Sequence, residues 1–350
     1  MMRDLSSRER FFCTAERREV DRPAVWLGLP AEEALPGLFA YFDVSSVDEL
    51  RRKLGDDIYP IELPYHSPTS NAIYAAFDFA KRNAEGRDVV KDRTLTAPGF
   101  FEDYDDPEDV RRFDWPEPEK YIDPEECRKI VGDAPEDKAV VGVIWSAHFQ
   151  DVCAAFGMET ALMNMITNPG IFAAVSEKIE DFYLRANRIF YEATAGRLDA
   201  VLIGNDLGSQ TGLMLSPELI REYVLPGTKK FVDQAKSYGL KVIHHSCGAV
   251  FDIIPDLISL GIDVIHPIQA LAANMEAERL KETFEGKVSF CGGVDAQELL
   301  VNGTPDEVFA TVRRLKRLFP TGLIISPSHE AILPDIRPEN VEALFNGSKE

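Results

Sequence analysis

The chain has 350 residues, of which 45% are hydrophobic, and its 59 acidic and 38 basic residues give a formal net charge of −21. This charge disfavours nucleic acids and anionic membranes as partners. No apolar run approaches the roughly 20 residues of a membrane span, and the charged start lacks a signal-peptide core. Five scattered cysteines indicate reduced thiols, so we expect a cytoplasmic protein.

Residues 1–20 predict an N-terminal helix, and short apolar runs then alternate with helical stretches, as in a parallel sheet. The predicted strands are Ala24–Leu27, Asp57–Ile61, Ala139–Trp145, Ala200–Asn205, Lys241–His245, Val264–Pro267, Val288–Cys291 and Leu323–Ser326. The clearest predicted helices are Pro217–Tyr238 and Pro305–Leu318, because Ser-Pro and Thr-Pro pairs mark helix starts.

Eight strand–helix units predict an α/β fold, a (β/α)₈ TIM barrel with the N-terminal helix packed outside it. We expect one domain over residues 1–350. A doubly wound sheet stays open as an alternative, although no Gly-rich dinucleotide loop follows the first strand.

An insertion rich in acids, prolines and aromatics covers about residues 64–138, after the second strand. The pattern predicts a helix near Asn71–Lys81 within it. Because the insertion follows the carboxyl end of a strand, it could cover the barrel mouth. A solvated acidic surface excursion is the equal alternative.

Side chains that can bind a metal or act in catalysis follow the predicted strands, and a barrel carries its active site at these strand ends. Five of the six histidines lie at or just past strand ends, which favours a functional mouth. Residues i and i+2 of a strand point the same way, so His245 and Cys247 could bind one ion. An imidazole and a thiol suit Zn²⁺ but do not complete its site.

Each of these residues also has an ordinary structural interpretation. The His–Cys pair, His266 and Cys291 could be buried core side chains, and Asp295 could cap the next helix. His244 should face the helical layer. Asp206 is the stronger candidate for a catalytic or ligand-orienting role, because a carboxylate that ends an apolar strand is costly to bury unless it is paired or binds a metal.

The order of the strand-end motifs resembles the uroporphyrinogen decarboxylase superfamily, over roughly residues 140–345. The matching segments are Asn205-Asp206-Leu207-Gly208-Ser209 with Leu215-Ser216-Pro217, Gly292-Gly293-Val294-Asp295, and Ser328-His329-Glu330 with Leu333-Pro334-Asp335. That superfamily also contains zinc-dependent methyltransferases that pass methyl groups to or from corrinoid proteins.

One departure and one match favour the methyltransferase branch. True decarboxylases carry an N-terminal Arg-x-x-Gly-Arg motif, whereas the basic pairs Arg17-Arg18 and Arg51-Arg52 lack the glycine. Conversely, His245-Ser246-Cys247-Gly248 matches the His-x-Cys-Gly of the methyltransferases, in which both residues are zinc ligands. Their third ligand is a cysteine after the last strand, where this chain has His329. The resemblance therefore implies Zn²⁺ held by His245, Cys247 and His329.

The implied reaction moves a methyl group between a small methylated substrate, a methoxyaromatic or a methylthiol, and a corrinoid protein. Zinc would act as the Lewis acid, with Asp206 and His329 as catalytic residues. The expected substrate-binding residues are Trp145, His148, Phe149, Gln210 and Asp295. A homodimer is consistent with the resemblance.

Two other functions stay open. One is a metal-free decarboxylase of a uroporphyrinogen-like or other small carboxylic acid, with Asp206 and His329 as acid and base. The other is a non-catalytic barrel that docks a corrinoid protein.

Overall fold

The computed structural model describes residues 4–65 and 99–350, so the predicted helix Asn71–Lys81 lies outside the described residues. The barrel strands are β1 Ala24–Val25, β2 Ile58–Glu62, β3 Ala139–Trp145, β4 Ala200–Gly204, β5 Lys241–His245, β6 Val264–Ile268, β7 Ser289–Val294 and β8 Leu323–Pro327. Two further short strands, Leu29–Pro30 and Ala331–Ile332, pair in parallel with each other.

The eight barrel strands form one parallel sheet that nearly closes on itself. Each strand from β2 to β8 pairs with the next, and β8 pairs with β1. The two edge strands, β1 and β2, are linked by a hydrogen bond of 3.0 Å from Asp57 N, just before β2, to Val25 O. Helices flank the strands, so the prediction of a (β/α)₈ barrel is confirmed.

The strand boundaries follow the prediction with two informative differences. β1 is shorter than expected, because Leu27 N donates to the Asp56 carboxylate rather than to a neighbouring strand. β7 is longer, because Gly292 and Gly293 adopt positive φ yet stay paired with β8. Non-glycine residues rarely adopt that backbone conformation.

The α-helices are Ser7–Ala15, Leu35–Phe42, Val47–Leu54, Pro107–Arg112, Pro124–Gly132, His148–Phe156, Met158–Thr167, Pro169–Ala193, Pro217–Leu219, Leu225–Ser237, Ile254–Ser259, Ala277–Phe284, Leu299–Asn302, Pro305–Leu318 and Pro338–Lys349. Short 3₁₀ turns span Glu32–Ala34, Pro118–Lys120 and Phe251–Ile253. None of the helices in the described ranges is long and apolar enough to cross a bilayer.

Both helices singled out from the sequence are present, and one is interrupted. Pro305–Leu318 begins as predicted, at a capping box formed by Thr304 and Glu307. The other is broken by a π-helical turn, Ile220–Val224, before Leu225–Ser237. Pro226 follows this turn and lacks the N–H that a regular α-helix would use there.

The N-terminal helix Ser7–Ala15 lies outside the strands, as predicted, and closes the amino-terminal end of the barrel. Phe11 and Ala15 are buried in the cluster that fills the barrel interior. Arg10 forms an ion pair of 2.7 Å with Asp57, just before β2. An open apolar end would face water, so covering it with a helix removes apolar surface from solvent. The polar residues of interest therefore lie at the opposite, carboxyl-terminal end, which we call the mouth.

Candidate metal centre

His245 and Cys247 at the end of β5 face the same point in the mouth, as their i and i+2 spacing predicts. Cys247 Sγ lies 3.4 Å from His245 Nε2. Asp206, which follows β4, places Oδ1 3.2 Å from the same nitrogen. The ligand atoms of these three residues all lie within 4.8 Å of one another, close enough to share one ion.

A second group of ligand atoms shares Cys247. His329 and Glu330 follow β8, and their ligand atoms lie within 4.8 Å of one another and of Cys247. Glu330 Oε2 is 3.5 Å from His329 Nδ1 and 3.7 Å from His245 Nδ1. This oxygen is buried and makes no hydrogen bond within residues 4–65 and 99–350. We refer to Asp206, His245, Cys247, His329 and Glu330 as the donor cluster.

Charges within the donor cluster shift its pKa values strongly. Burial lowers the pKa of His245, but the Glu330 and Asp206 carboxylates outweigh burial and hold it well above its usual value. Burial raises the pKa of Asp206, but hydrogen bonds with His245 and Cys247 bring it below its usual value. For His329, the hydrogen bond with Cys247 raises the pKa and burial opposes it. The cluster therefore stabilises carboxylate and imidazolium charges together.

Two close loops bring Asp206 to Cys247. Cys247 N donates to Asp206 Oδ1 over 2.9 Å. Gly248 has φ +85°, and a Cβ there would lie 2.5 Å from Gly208 O. Two facing glycines therefore let the loops after β4 and β5 approach closely enough for this hydrogen bond.

Gln150 holds Asp206 from its other side. Gln150 Nε2 donates to Asp206 Oδ2 over 3.2 Å, and Asp206 N donates to Gln150 Oε1 over 3.1 Å. The sequence predicts no role for Gln150. Its place two residues after His148, in the segment that follows β3, was the one available signal.

Trp145, which the sequence predicts as a substrate-binding residue, lies at the end of β3 against the donor cluster. Its ring centroid is 5.2 Å from that of His245, with the rings nearly perpendicular. Trp145 and Ser146 have φ values of 56° and 51°, which are strained for residues other than glycine. Such strain concentrates at functional sites.

His148 and Phe149 lie outside the donor cluster. His148 is fully buried, donates from Nε2 to Val224 O over 3.1 Å, and accepts from Asn205 Nδ2 over 3.2 Å. Burial lowers the pKa of His148, as expected for a neutral ring of this kind. Phe149 is 2% exposed and packs in the outer core. Both residues are buried in the first turn of the helix His148–Phe156.

Gln210 and Asp295 also form their hydrogen bonds away from the donor cluster. The Asp295 carboxylate accepts from the backbone N–H groups of residues 297, 298 and 299, at 3.2, 2.8 and 2.8 Å. It therefore caps this turn, the alternative left open by the sequence. Gln210 is exposed, and its Nε2 donates to Gln297 Oε1 over 3.2 Å.

A (β/α)₈ barrel whose charged and thiol side chains converge at the carboxyl ends of its strands is the arrangement found in barrel enzymes. The chain belongs to the uroporphyrinogen decarboxylase family, because the family model "Uroporphyrinogen decarboxylase (URO-D)" matches residues 86–350. The superfamily predicted from the sequence is therefore confirmed, and it is a family of enzymes. None of the curated proteins matches this chain in sequence.

Solved structures share the fold at low sequence identity. A methyltransferase from Methanosarcina mazei superimposes with a TM-score of 0.69 and 17% identity, covering 99% of this chain and 98% of that one. A Listeria monocytogenes protein assigned as a vitamin-B12 independent methionine synthase gives a TM-score of 0.44 at 13% identity, covering 94% and 96%. The first similarity shows a common fold over the whole length.

Proposed function

We propose that this protein is a methyltransferase that moves a methyl group between a small methylated substrate and a corrinoid carried by a partner protein. The observation that carries the proposal is the convergence of Asp206, His245 and Cys247 at the mouth, with His329 and Glu330 grouped around the same Cys247. The M. mazei protein, which shares the fold, is named a methyltransferase and supports the same choice.

The donor cluster fits a zinc ion. Its nitrogen, sulfur and oxygen atoms are the donors that zinc takes in proteins. The buried Glu330 Oε2 has no hydrogen-bond partner among the described residues and lies between two imidazoles, as expected of a group that awaits a cation. Cys247 belongs to both ligand groups, so it is the central ligand.

The third protein ligand is either Asp206 or His329. Ala331 N donates to His329 Nδ1 over 3.1 Å, so a neutral His329 ring carries its hydrogen on Nε2. In this tautomer His329 donates a hydrogen bond to Cys247 rather than binding a metal. His329 would have to change tautomer to bind zinc. Asp206 needs no such change, and its carboxylate already lies 3.2 Å from His245 Nε2.

The chain's own residues bind and orient the substrate. When bound, zinc supplies a Lewis acid that lowers the pKa of a substrate thiol or polarises an aryl–oxygen–methyl bond. Trp145 provides an apolar wall beside His245 for a methoxyaromatic ring or a methylthiol. Glu330, and whichever of Asp206 and His329 does not bind zinc, can take or return a proton at the substrate heteroatom.

Metal analysis with matched cysteine variants tests the proposal. We expect near-stoichiometric zinc in the wild type, lost in Cys247→Ala and retained in Cys291→Ala, because Cys291 is fully buried inside the barrel. Asp206→Ala and His329→Ala then identify the third ligand. Methyl transfer is followed by the corrinoid absorption spectrum, with a panel of methoxyaromatics and methylated thiols as donors. Zinc that persists in Cys247→Ala, or no transfer with any donor, contradicts the proposal.

A decarboxylase is the second candidate, favoured by the family match and by the ionised Asp206 in the mouth, which could stabilise a protonated substrate ring. One observation weighs against a polycarboxylate substrate. Arg51 belongs to one of the two basic pairs that come nearest in sequence to the carboxylate-binding motif of the decarboxylases. It is buried against Asp56 and donates to Gly28 O over 2.6 Å. Carbon dioxide release from carboxylated pyrroles by the zinc-free protein would support this candidate.

A further inference from the structure

His266 contacts His245 from the side opposite to Cys247. The two histidines are directly paired on neighbouring strands, β5 and β6. Their Nδ1 atoms lie 3.0 Å apart, and their ring centroids 5.1 Å apart. His266 is fully buried, and it touches the donor cluster through this contact with His245.

One hydrogen lies between the two Nδ1 atoms, and the surroundings decide which ring carries it. Glu330 Oε2 lies 3.7 Å from His245 Nδ1. An N–H on His245 Nδ1 is attracted by that carboxylate, whereas a lone pair there would be repelled. His245 therefore donates and His266 Nδ1 accepts, which leaves the hydrogen of His266 on Nε2.

Apart from its hydrogen bond with His245, the His266 ring has few polar contacts among the residues that the structure describes. Its Nε2 is buried and has no hydrogen-bond partner in the described part of the chain. The Trp26 indole lies against the ring, with centroids 5.2 Å apart. A buried polar atom without a partner destabilises the fold, so its presence calls for an explanation.

We infer that His266 is a positioning residue that accepts the Nδ1 hydrogen of His245 and so keeps the His245 Nε2 lone pair available toward Cys247 and Asp206. Its consequence for zinc binding rests on the function proposed above. The hydrogen bond itself does not, because the same arrangement holds when Nε2 carries a proton directed at Asp206. Partners of this kind fix the tautomer and orientation of metal-binding histidines.

Two substitutions separate acceptance of the hydrogen from simple filling of space. His266→Asn keeps an oxygen acceptor close to the position of Nδ1, and His266→Leu fills similar space without an acceptor. Zinc affinity is measured by competition with a chromophoric chelator, and folding by circular dichroism. We expect His266→Leu to weaken zinc binding by about 10-fold to 100-fold and His266→Asn to weaken it far less. Equal zinc affinity in wild type and His266→Leu overturns the inference.

Nitrogen NMR of the metal-free wild type provides a second measurement that needs no variant and no zinc. In ¹⁵N-histidine-labelled protein, coupling across the N–H···N hydrogen bond identifies the two Nδ1 nuclei. We expect the hydrogen on His245 Nδ1 and an unprotonated His266 Nδ1. A hydrogen on His266 Nδ1 overturns the inference. If the expected pattern is seen but the wild type binds no zinc, the proposed function fails and the positioning role stands.

Discussion

Replacing Gly248 by alanine tests whether the contact of two loops builds the donor cluster. At φ +85° an L-residue carries a left-handed backbone penalty of about 1–2 kcal/mol. The new Cβ would also lie 2.5 Å from Gly208 O and 2.6 Å from Ser209 O, and such overpacking costs about 1–3 kcal/mol. We therefore expect a loss of about 2–5 kcal/mol in the free energy of unfolding.

Gly196 provides the matched control. It has φ +81°, and a Cβ there meets nothing within 4 Å among the described atoms. Gly196→Ala should therefore lose only the backbone penalty, about 1–2 kcal/mol. Urea unfolding followed by circular dichroism compares the two variants.

The same pair of variants should differ in zinc affinity. Relief of the clash separates the loops and lengthens the hydrogen bond from Cys247 N to Asp206, now 2.9 Å. We expect zinc binding to weaken about tenfold or more in Gly248→Ala and to stay unchanged in Gly196→Ala. Equal losses of stability in both variants, with equal zinc affinity, would refute the reasoning.

Three further predictions concern residues outside the donor cluster. Burial raises the pKa of Asp21, but its hydrogen bonds with Arg10 outweigh burial and hold the pKa below its usual value. This stabilisation is complete above the unfolded pKa of about 3.9 and is lost as the pH falls. Asp21→Asn should therefore cost about 2 kcal/mol at pH 7 and less near pH 3 in urea titrations; a pH-independent difference counts against the ion pair. His148→Leu leaves Asn205 Nδ2 without its acceptor and should destabilise the fold by about 1–3 kcal/mol, with zinc affinity intact; a zinc affinity that falls with stability would return His148 to the site. Asp295→Ala removes the carboxylate that accepts from the backbone N–H groups of this turn and should cost about 1 kcal/mol by thermal melting; a loss of substrate affinity at unchanged stability would restore its predicted binding role.

The sequence by itself determined the barrel and the strand ends at which its chemistry lies. Apolar strand runs and the Thr304 capping box are local patterns, so β3, β5 and Pro305–Leu318 have the predicted bounds. The direction of His245 and Cys247 toward one point follows from the two-residue period of a strand. Each of these features depends on neighbours in the chain.

The tertiary structure decided which strand-end residues meet. His148 and Phe149 come soon after Trp145, the last residue of β3, yet of these three rings only that of Trp145 contacts His245. The partners Gln150, Glu330 and His266 come from three different strand ends, and barrel closure and loop packing set their distances. These contacts join residues far apart in the chain, so no local pattern encodes them, and the Nδ1 pairing of His245 with His266 becomes visible only once β5 and β6 lie side by side.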